Sequence, residues 1–468
     1  MTSATPDPKR WAALFLLCAA QFLVILDTSI IGVALPAIQK DLGITAENLQ
    51  WVFNAYVVTF GGLLLLGGRL ADLFGQRRIF SVGFVILTLA SLLAGLAPNE
   101  LTLHLARALQ GVGAAIISPA ALSLVMGLFR DPAELNKAFG FWGASAAAGG
   151  SAGVFLGGVI TEWLSWRWTF LIYVPIGVLV LLAVPALLRK GARSYGSIDW
   201  AGALTVTAAI TLAVLGLVRA EAIGWGSSAT LWTLGGAAAL LGIFIRIQAA
   251  RREPLVPLGI FRTPNLSVGN LITALLAASW IPLWYFLNLY LQQVLGYTAL
   301  QGGLALLPMT LAIMFLMVNV TGKVIGAFGI KPNLVVGLAL LAVSLLLFAQ
   351  APVGGHFVVH VLPASLLGAL AMSLAYIPAT IASVSGAKPE ESGLASGLVN
   401  TSYQVGSAIG LAAMVAVAAS VGTDNADPQR LNAAFHAAFY GAAGVAGLSA
   451  LLALASIRQP RAAANPTD

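Results

Sequence analysis

Charge is what this sequence has least of. Only 9% of its 468 residues are Asp, Glu, Lys or Arg, while 59% are apolar; soluble domains carry roughly 25% charged residues. So few charges cannot cover a soluble protein of this size, and the chain expects lipid as its solvent. Cysteine is nearly missing as well. Cys18 stands alone, which excludes a disulfide framework and any CxxC pair for metal or redox work. His104, His356, His360 and His436 are scattered, so no metal site is expected, and no cofactor. No long polar stretch could fold as an appended catalytic domain, so an enzyme is not expected.

What is there is a series of long apolar runs, such as 79–97 and 334–349. A spanning helix needs about 20 largely apolar residues, whereas barrel strands alternate over segments of about 10. The runs are uninterrupted, which selects helices, because in hydrocarbon each backbone amide must be satisfied within its own segment. They fall at approximately 11–35, 50–67, 79–97, 101–126, 138–161, 168–188, 199–218 and 230–249. A second series follows at roughly 265–291, 299–321, 333–350, 357–379, 392–420 and 434–457. The expected fold is therefore all-α and membrane-integral, with about 14 spans. The first segment is too long for a signal peptide, and Asp27 would break its apolar region.

The few charges are unevenly placed. An even number of spans puts both termini on one side. If that side is cytoplasmic, the inner loops and tails hold 19 of the 24 Lys and Arg. Among them are Arg77, Arg78, Arg130, Lys190, Arg193 and Arg461. Lys40, Arg167, Arg219 and Arg430 fall outside, and Arg107 lies within a helix. The split fits an N-in, C-in orientation. It also absorbs the net charge of +7, so no nucleic-acid partner is expected. Two basic loops, 189–198 and 251–264, act as joints. They divide the chain into a six-helix bundle at 1–190, two additional helices at 191–263, and a second six-helix bundle at 264–468.

The loop after the second span reads Gly68-Arg69-Leu70-Ala71-Asp72-Leu73-Phe74-Gly75-Gln76-Arg77-Arg78. Its glycines permit a tight turn. Asp72 is expected near a helix N-terminus, where the macrodipole favours an anion, and paired with neighbouring arginines. In the fourth span stands Arg107-Ala108-Leu109-Gln110-Gly111-Val112-Gly113. An arginine at this depth needs a partner or a wet cavity, unless it snorkels to the nearer face. The fifth span carries Gly140, Gly149, Gly153, Gly157 and Gly158, small residues that permit close helix contact. The first span contains Leu26-Asp27-Thr28-Ser29-Ile30-Ile31-Gly32-Val33-Ala34-Leu35-Pro36.

In this order, and with Trp166-Arg167-Trp168-Thr169-Phe170 and Tyr290-Leu291-Gln292-Gln293, these elements resemble the major facilitator superfamily. Within it they resemble the fourteen-helix drug:proton antiporter branch, over almost the whole chain. The resemblance implies a monomeric, multi-pass protein of a bacterial inner membrane, with two six-helix halves and a 6 + 2 + 6 order. It implies proton-coupled export of hydrophobic small molecules by alternating access. Gly68, Asp72, Gly75, Arg77 and Arg78 would form the conformational loop, and Gly149, Gly153, Gly157 and Gly158 the antiporter glycine motif. Val154 stands where that motif has proline, which leaves solute uptake by proton symport as the alternative.

Asp27 is the one carboxylate expected deep within a span. Burial and a nearby cation pull a carboxyl's proton affinity in opposite directions. A group balanced between them can take a proton from one side and release it to the other. Asp27 with Arg107 is the expected proton-coupling pair; capping of Asp27 by Thr28 or Ser29 for packing alone is the competing reading. Asp199, at the start of the seventh span beside a basic loop, is expected as an N-cap. An intramembrane enzyme would need paired catalytic groups at one depth, and only Asp27 is deep. Candidate substrate contacts are polar or aromatic residues within apolar spans: Asn54, Gln110, Trp284, Tyr285, Asn288, Asn319, Tyr376, Asn400 and Gln404. Family members that export organic dications tend to carry extra acids, some in the second span. Here Asn54 occupies such a place, so neutral or monocationic amphipaths are the expected substrates.

Overall fold

The computed structural model describes residues 8–458 apart from 45, 50, 130, 190–198, 253, 264, 389–390 and 423–426. The first joint beyond Arg189, the boundary at 190, and Arg130, Lys190, Arg193 and Arg461 thus lie outside the described residues. Among the described residues, 14 helices are long and apolar enough to cross a membrane. They are α1 (Arg10–Leu42), α2 (Trp51–Phe74), α3 (Gln76–Gly95), α4 (Glu100–Leu128), α5 (Pro132–Trp163), α6 (Trp168–Leu187) and α7 (Trp200–Ile223). There follow α8 (Ser228–Ala250), α9 (Leu266–Val294), α10 (Gln301–Phe328), α11 (Ile330–Phe348), α12 (Phe357–Val384), α13 (Ser392–Val421) and α14 (Pro428–Ser456).

Helix starts are set by capping side chains, which satisfy amides that would otherwise be orphaned. Asn99 caps α4 through the Thr102 amide, and Asp131 caps α5 through Glu134 with Pro132 following. Thr298 and Gln301 form a reciprocal box at the start of α10. Asp199 caps α7 by accepting from Gly202 N at 2.8 Å, as its position predicts. Gln248 and Arg251 at the end of α8 also bind Asp199, which ties the additional hairpin together. Burial works against ionisation of Asp199, but the Gly202 amide, Gln248 and Arg251 outweigh it and hold the carboxyl below its usual range.

The two halves repeat one packing scheme. In the first, α1 lies on α5, α2 and α3 lie on α4, and α3 lies on α6. In the second, α9 lies on α13, α10 and α11 lie on α12, and α11 lies on α14. Advancing each helix number by eight converts one set into the other. The halves meet through α2 on α13 and α5 on α10, which the same operation exchanges. This is the parallel repeat about a membrane-normal axis found in two-half transporters. The hairpin of α7 and α8 rests on α2 and α13 through α7. Prolines lie inside α4 at Pro119, α9 at Pro282, α10 at Pro308 and α12 at Pro378. No proline interrupts α5 past its first turn. Near its end α10 widens into a π-type turn at Met317–Thr321.

Candidate functional site

Where the halves face each other they enclose a cavity of about 440 Å³. The first half contributes α1, α2, α4 and α5, and the second α9, α10, α12 and α13. No Asp, Glu, Lys, Arg or His lines it among the described residues. Six of the nine expected contacts face it: Trp284, Tyr285, Asn288, Tyr376, Asn400 and Gln404. Tyr376 meets Tyr403 edge-on, with ring centroids 6.1 Å apart.

The other three lie elsewhere. Gln110 is fully buried within the Arg107 cluster, accepting from Arg107 Nη1 at 2.9 Å and donating to Ser91 Oγ at 2.8 Å. Asn319 is exposed, and its amide donates to Phe315 O one turn back. Asn54 is half-buried on α2 and does not line the cavity. Sequence reasoning in turn missed Gln21, Ser118, Trp142 and Tyr403, which do line it. The signal was present: each is polar or aromatic within an apolar span, and Tyr403 is the neighbour of Gln404.

Asp27 sits one residue before Thr28 of the lining but is turned from the cavity and only 1% exposed. Arg107, 0% exposed, donates from Nη1 to Asp27 Oδ2 at 2.6 Å and from Nε to Val52 O at 2.7 Å. Its guanidinium lies 4.6 Å from the Tyr56 ring centroid, a cation–π contact. The snorkelling alternative fails, because the arginine points inward to a partner. Thr28 and Ser29 do not cap Asp27 either; both hydroxyls donate to Ile25 O. A buried pair bonded in this way is costly to break, since removing either charge strands the other.

Asp72 completes a second polar site, at the bundle end where α2 gives way to α3. Its carboxylate accepts from the Gly393 amide at 2.8 Å and the Leu394 amide at 2.9 Å. These are the first amides of α13, so the helix terminus foreseen for Asp72 belongs to the opposite half. Its hydrogen bonds among the described residues go to these amides, while the neighbouring Arg69 acts on it through charge without a hydrogen bond. Gln76 Nε2 donates to Ser392 Oγ at 3.0 Å, and Ser123 bonds the same hydroxyl at 2.7 Å. Gly68 allows the approach, because a Cβ there would lie 2.3 Å from Gly393 O. Gly75 makes the turn with φ 92°. At this end the two halves are thus joined by hydrogen bonds between α2, α3 and α4 on one side and α13 on the other.

Three of the four motif glycines pack α5 on α1. A Cβ would meet Phe22 O at 2.6 Å from Gly149, Ser29 Cβ at 2.5 Å from Gly153 and Ile30 O at 2.8 Å from Gly157. Gly158 has nothing within 4 Å, so its place in the close-contact motif is not matched by a contact. Val154 lines the cavity and faces Gly303 of α10. Ser151 bonds Thr310 across the same interface. The tryptophan-rich element of the first half also finds a role. Trp166 and Arg167 both donate to Asp41 beyond the apolar part of α1, and Arg167, followed by Trp166, holds that carboxyl below its usual range.

The sequence pattern of the Major Facilitator Superfamily matches residues 17–411. The chain is 39% identical to the cephamycin export protein CmcT of Amycolatopsis lactamdurans, over 92% of this chain and 89% of that protein. It is 38% identical to the puromycin resistance protein pur8 of Streptomyces alboniger, over 87% and 81% of the two chains. Identity to the lincomycin resistance protein of Streptomyces lincolnensis is 34%, over 99% and 95%. Among solved structures, the human organic anion transporter MFSD10 superposes with a TM-score of 0.68 at 14% identity, covering 96% of this chain and all of that one. The chain belongs to the major facilitator superfamily and is a membrane transporter, not an enzyme.

Proposed function

We propose that this transporter exports uncharged or singly charged amphipathic molecules from the cytoplasm in exchange for protons, with Asp27 as the coupling acid. One observation carries the reading: a buried Asp27–Arg107 pair lies beside a large cavity whose lining, among the described residues, has no charge. Protonation of Asp27 leaves Arg107 with a buried charge and a weaker partner, which raises the energy of this arrangement of α1 and α4. Release of the proton restores the pair. Substrate and proton then act on neighbouring surfaces of α1 without competing for one carboxylate. Relatives named for antibiotic export and resistance support the outward direction. Orientation rests on the positive-inside asymmetry, which makes the Asp72 end cytoplasmic. Reporter fusions at Arg193 and Pro257 should both report cytoplasm.

Val154 in place of the motif proline, within an α5 unbroken past its first turn, favours a second reading, proton symport into the cell. Cells expressing the protein, preloaded with ethidium as a singly charged amphipath, decide between them. Export predicts loss of dye that stops when an uncoupler is added. Uncoupler-sensitive uptake of dye from outside would reverse the direction.

A further inference from the structure

We propose that His104 is the outer proton relay of the coupling site, its imidazole handing protons from the outer face to Asp27. The proposal rests on Asp27 as the coupling acid and holds for either direction of substrate movement. Asp27 is 1% exposed and bonded to Arg107, so a proton from outside has to be passed to it by another group. Glu100, His104 and Arg107 stand at i, i+4 and i+7 of α4 and share one face of that helix. Under the positive-inside orientation α4 begins at the outer end. The stripe therefore leads from the outer surface to the buried pair.

His104 spans the step between them. Its Nδ1 lies 3.9 Å from Oε1 of the partly exposed Glu100, the one charged group that acts on the ring among the described residues. The ring also hydrogen-bonds the backbone of the exposed Asn48, in the short turn Ala46–Leu49 between α1 and α2. Four residues on, Val52 O accepts from Arg107, so α4 holds one stretch of chain at two successive levels, the outer by His104. Helical side chains lean toward the N-terminus, which brings the guanidinium back toward the ring. Nε2 of His104 is buried without a partner, and no other histidine has such a nitrogen among the described residues. His436 bonds Ala351 O, and His360 bonds the start of its own helix, α12, which carries no Asp, Glu, Lys or Arg.

An imidazole with one nitrogen toward water and the other enclosed can take a proton at the first and release one from the second. External water protonates the ring to imidazolium. When Arg107 lets go, the proton on the enclosed nitrogen passes to an oxygen of Asp27. The ring is left neutral in its other tautomer, and rotation about its bond to Cβ resets it.

Full-length protein in proteoliposomes tests this, with ethidium as the probe. Two rates are compared: ethidium movement driven by an imposed proton gradient, and exchange of labelled for unlabelled ethidium at equal pH, a partial cycle that moves no proton. His104→Gln keeps an amide that can bond the Asn48 backbone but cannot relay a proton. Its gradient-driven rate should fall roughly a hundredfold, the low end for a positioned proton-transfer group, and should fall further in heavy water, while exchange keeps the wild-type rate. His360→Gln should leave both rates unchanged. An unchanged driven rate in His104→Gln overturns the relay. Equal loss of both rates overturns it too, since the ring would then only brace α4. Wild-type vesicles that exchange ethidium but show no gradient-driven movement would overturn the coupling reading itself, and the relay with it.

Discussion

Arg107 reaches from α4 to Asp27 on α1 across 2.6 Å, and neither side chain is accessible to solvent. The carboxylate is thus available to a proton only when the pair loosens, and the cost of loosening it falls on the two helices that carry it.

Asp27→Asn mimics a permanently protonated acid. Proteoliposomes containing the variant should not accumulate substrate against a gradient when a proton gradient is imposed. Binding of a neutral ligand should persist, because the side chain does not line the cavity. Uphill transport by this variant would remove Asp27 from the coupling role.

Arg107→Ala strands the Asp27 carboxylate. Breaking a buried pair by removing one partner costs about 3–5 kcal/mol, so the thermal midpoint in detergent should fall markedly. The Arg107→Ala/Asp27→Asn double variant should recover much of that loss, since an amide needs no countercharge. A double variant as unstable as the single one would mean that Arg107 matters through its bonds to Val52 and Gln110 instead.

Asp72→Asn removes the charge that binds the first amides of α13. Hydrogen bonds to a charged group contribute about 1.5–3 kcal/mol, so the arrangement that joins α2 to α13 should lose roughly tenfold or more of its population advantage. In a Cys18→Ser background, a cysteine at Ser118 should label faster from the cytoplasmic side once Asp72 is replaced. Transport should slow while the protein remains inserted. Unchanged labelling and turnover would reduce the loop to a membrane anchor.

Two glycines five residues apart on α5 should behave oppositely. Gly153→Ala sets a Cβ 2.5 Å from Ser29 Cβ and 2.9 Å from Ile30 N, and overpacking of this kind costs about 1–3 kcal/mol. Gly158→Ala meets open space and should change stability by no more than about 0.5 kcal/mol. Thermal midpoints of the two variants, measured side by side, check the contrast.

Much of this protein was legible from its chain. Apolar runs long enough to span a bilayer appear as fourteen helices, because hydrocarbon leaves the backbone no other way to bond. Asp27, Arg107 and Asp72 stood out because charge within such runs is expensive and therefore purposeful. The tertiary structure decided which face each residue presents. In water a helix advertises its buried side through amphipathic periodicity; in lipid the outward face is as apolar as the packed one. Asn319 and Gly158 consequently read the same as their neighbours, yet one is exposed and the other meets open space, while Gln21 and Trp142 passed unnoticed into the cavity wall. The partner of Asp72 was hidden for a different reason. The amides of Gly393 and Leu394 lie more than 300 positions away and belong to the backbone, which carries no residue-specific signal; only the closure of the two halves brings them to the carboxylate.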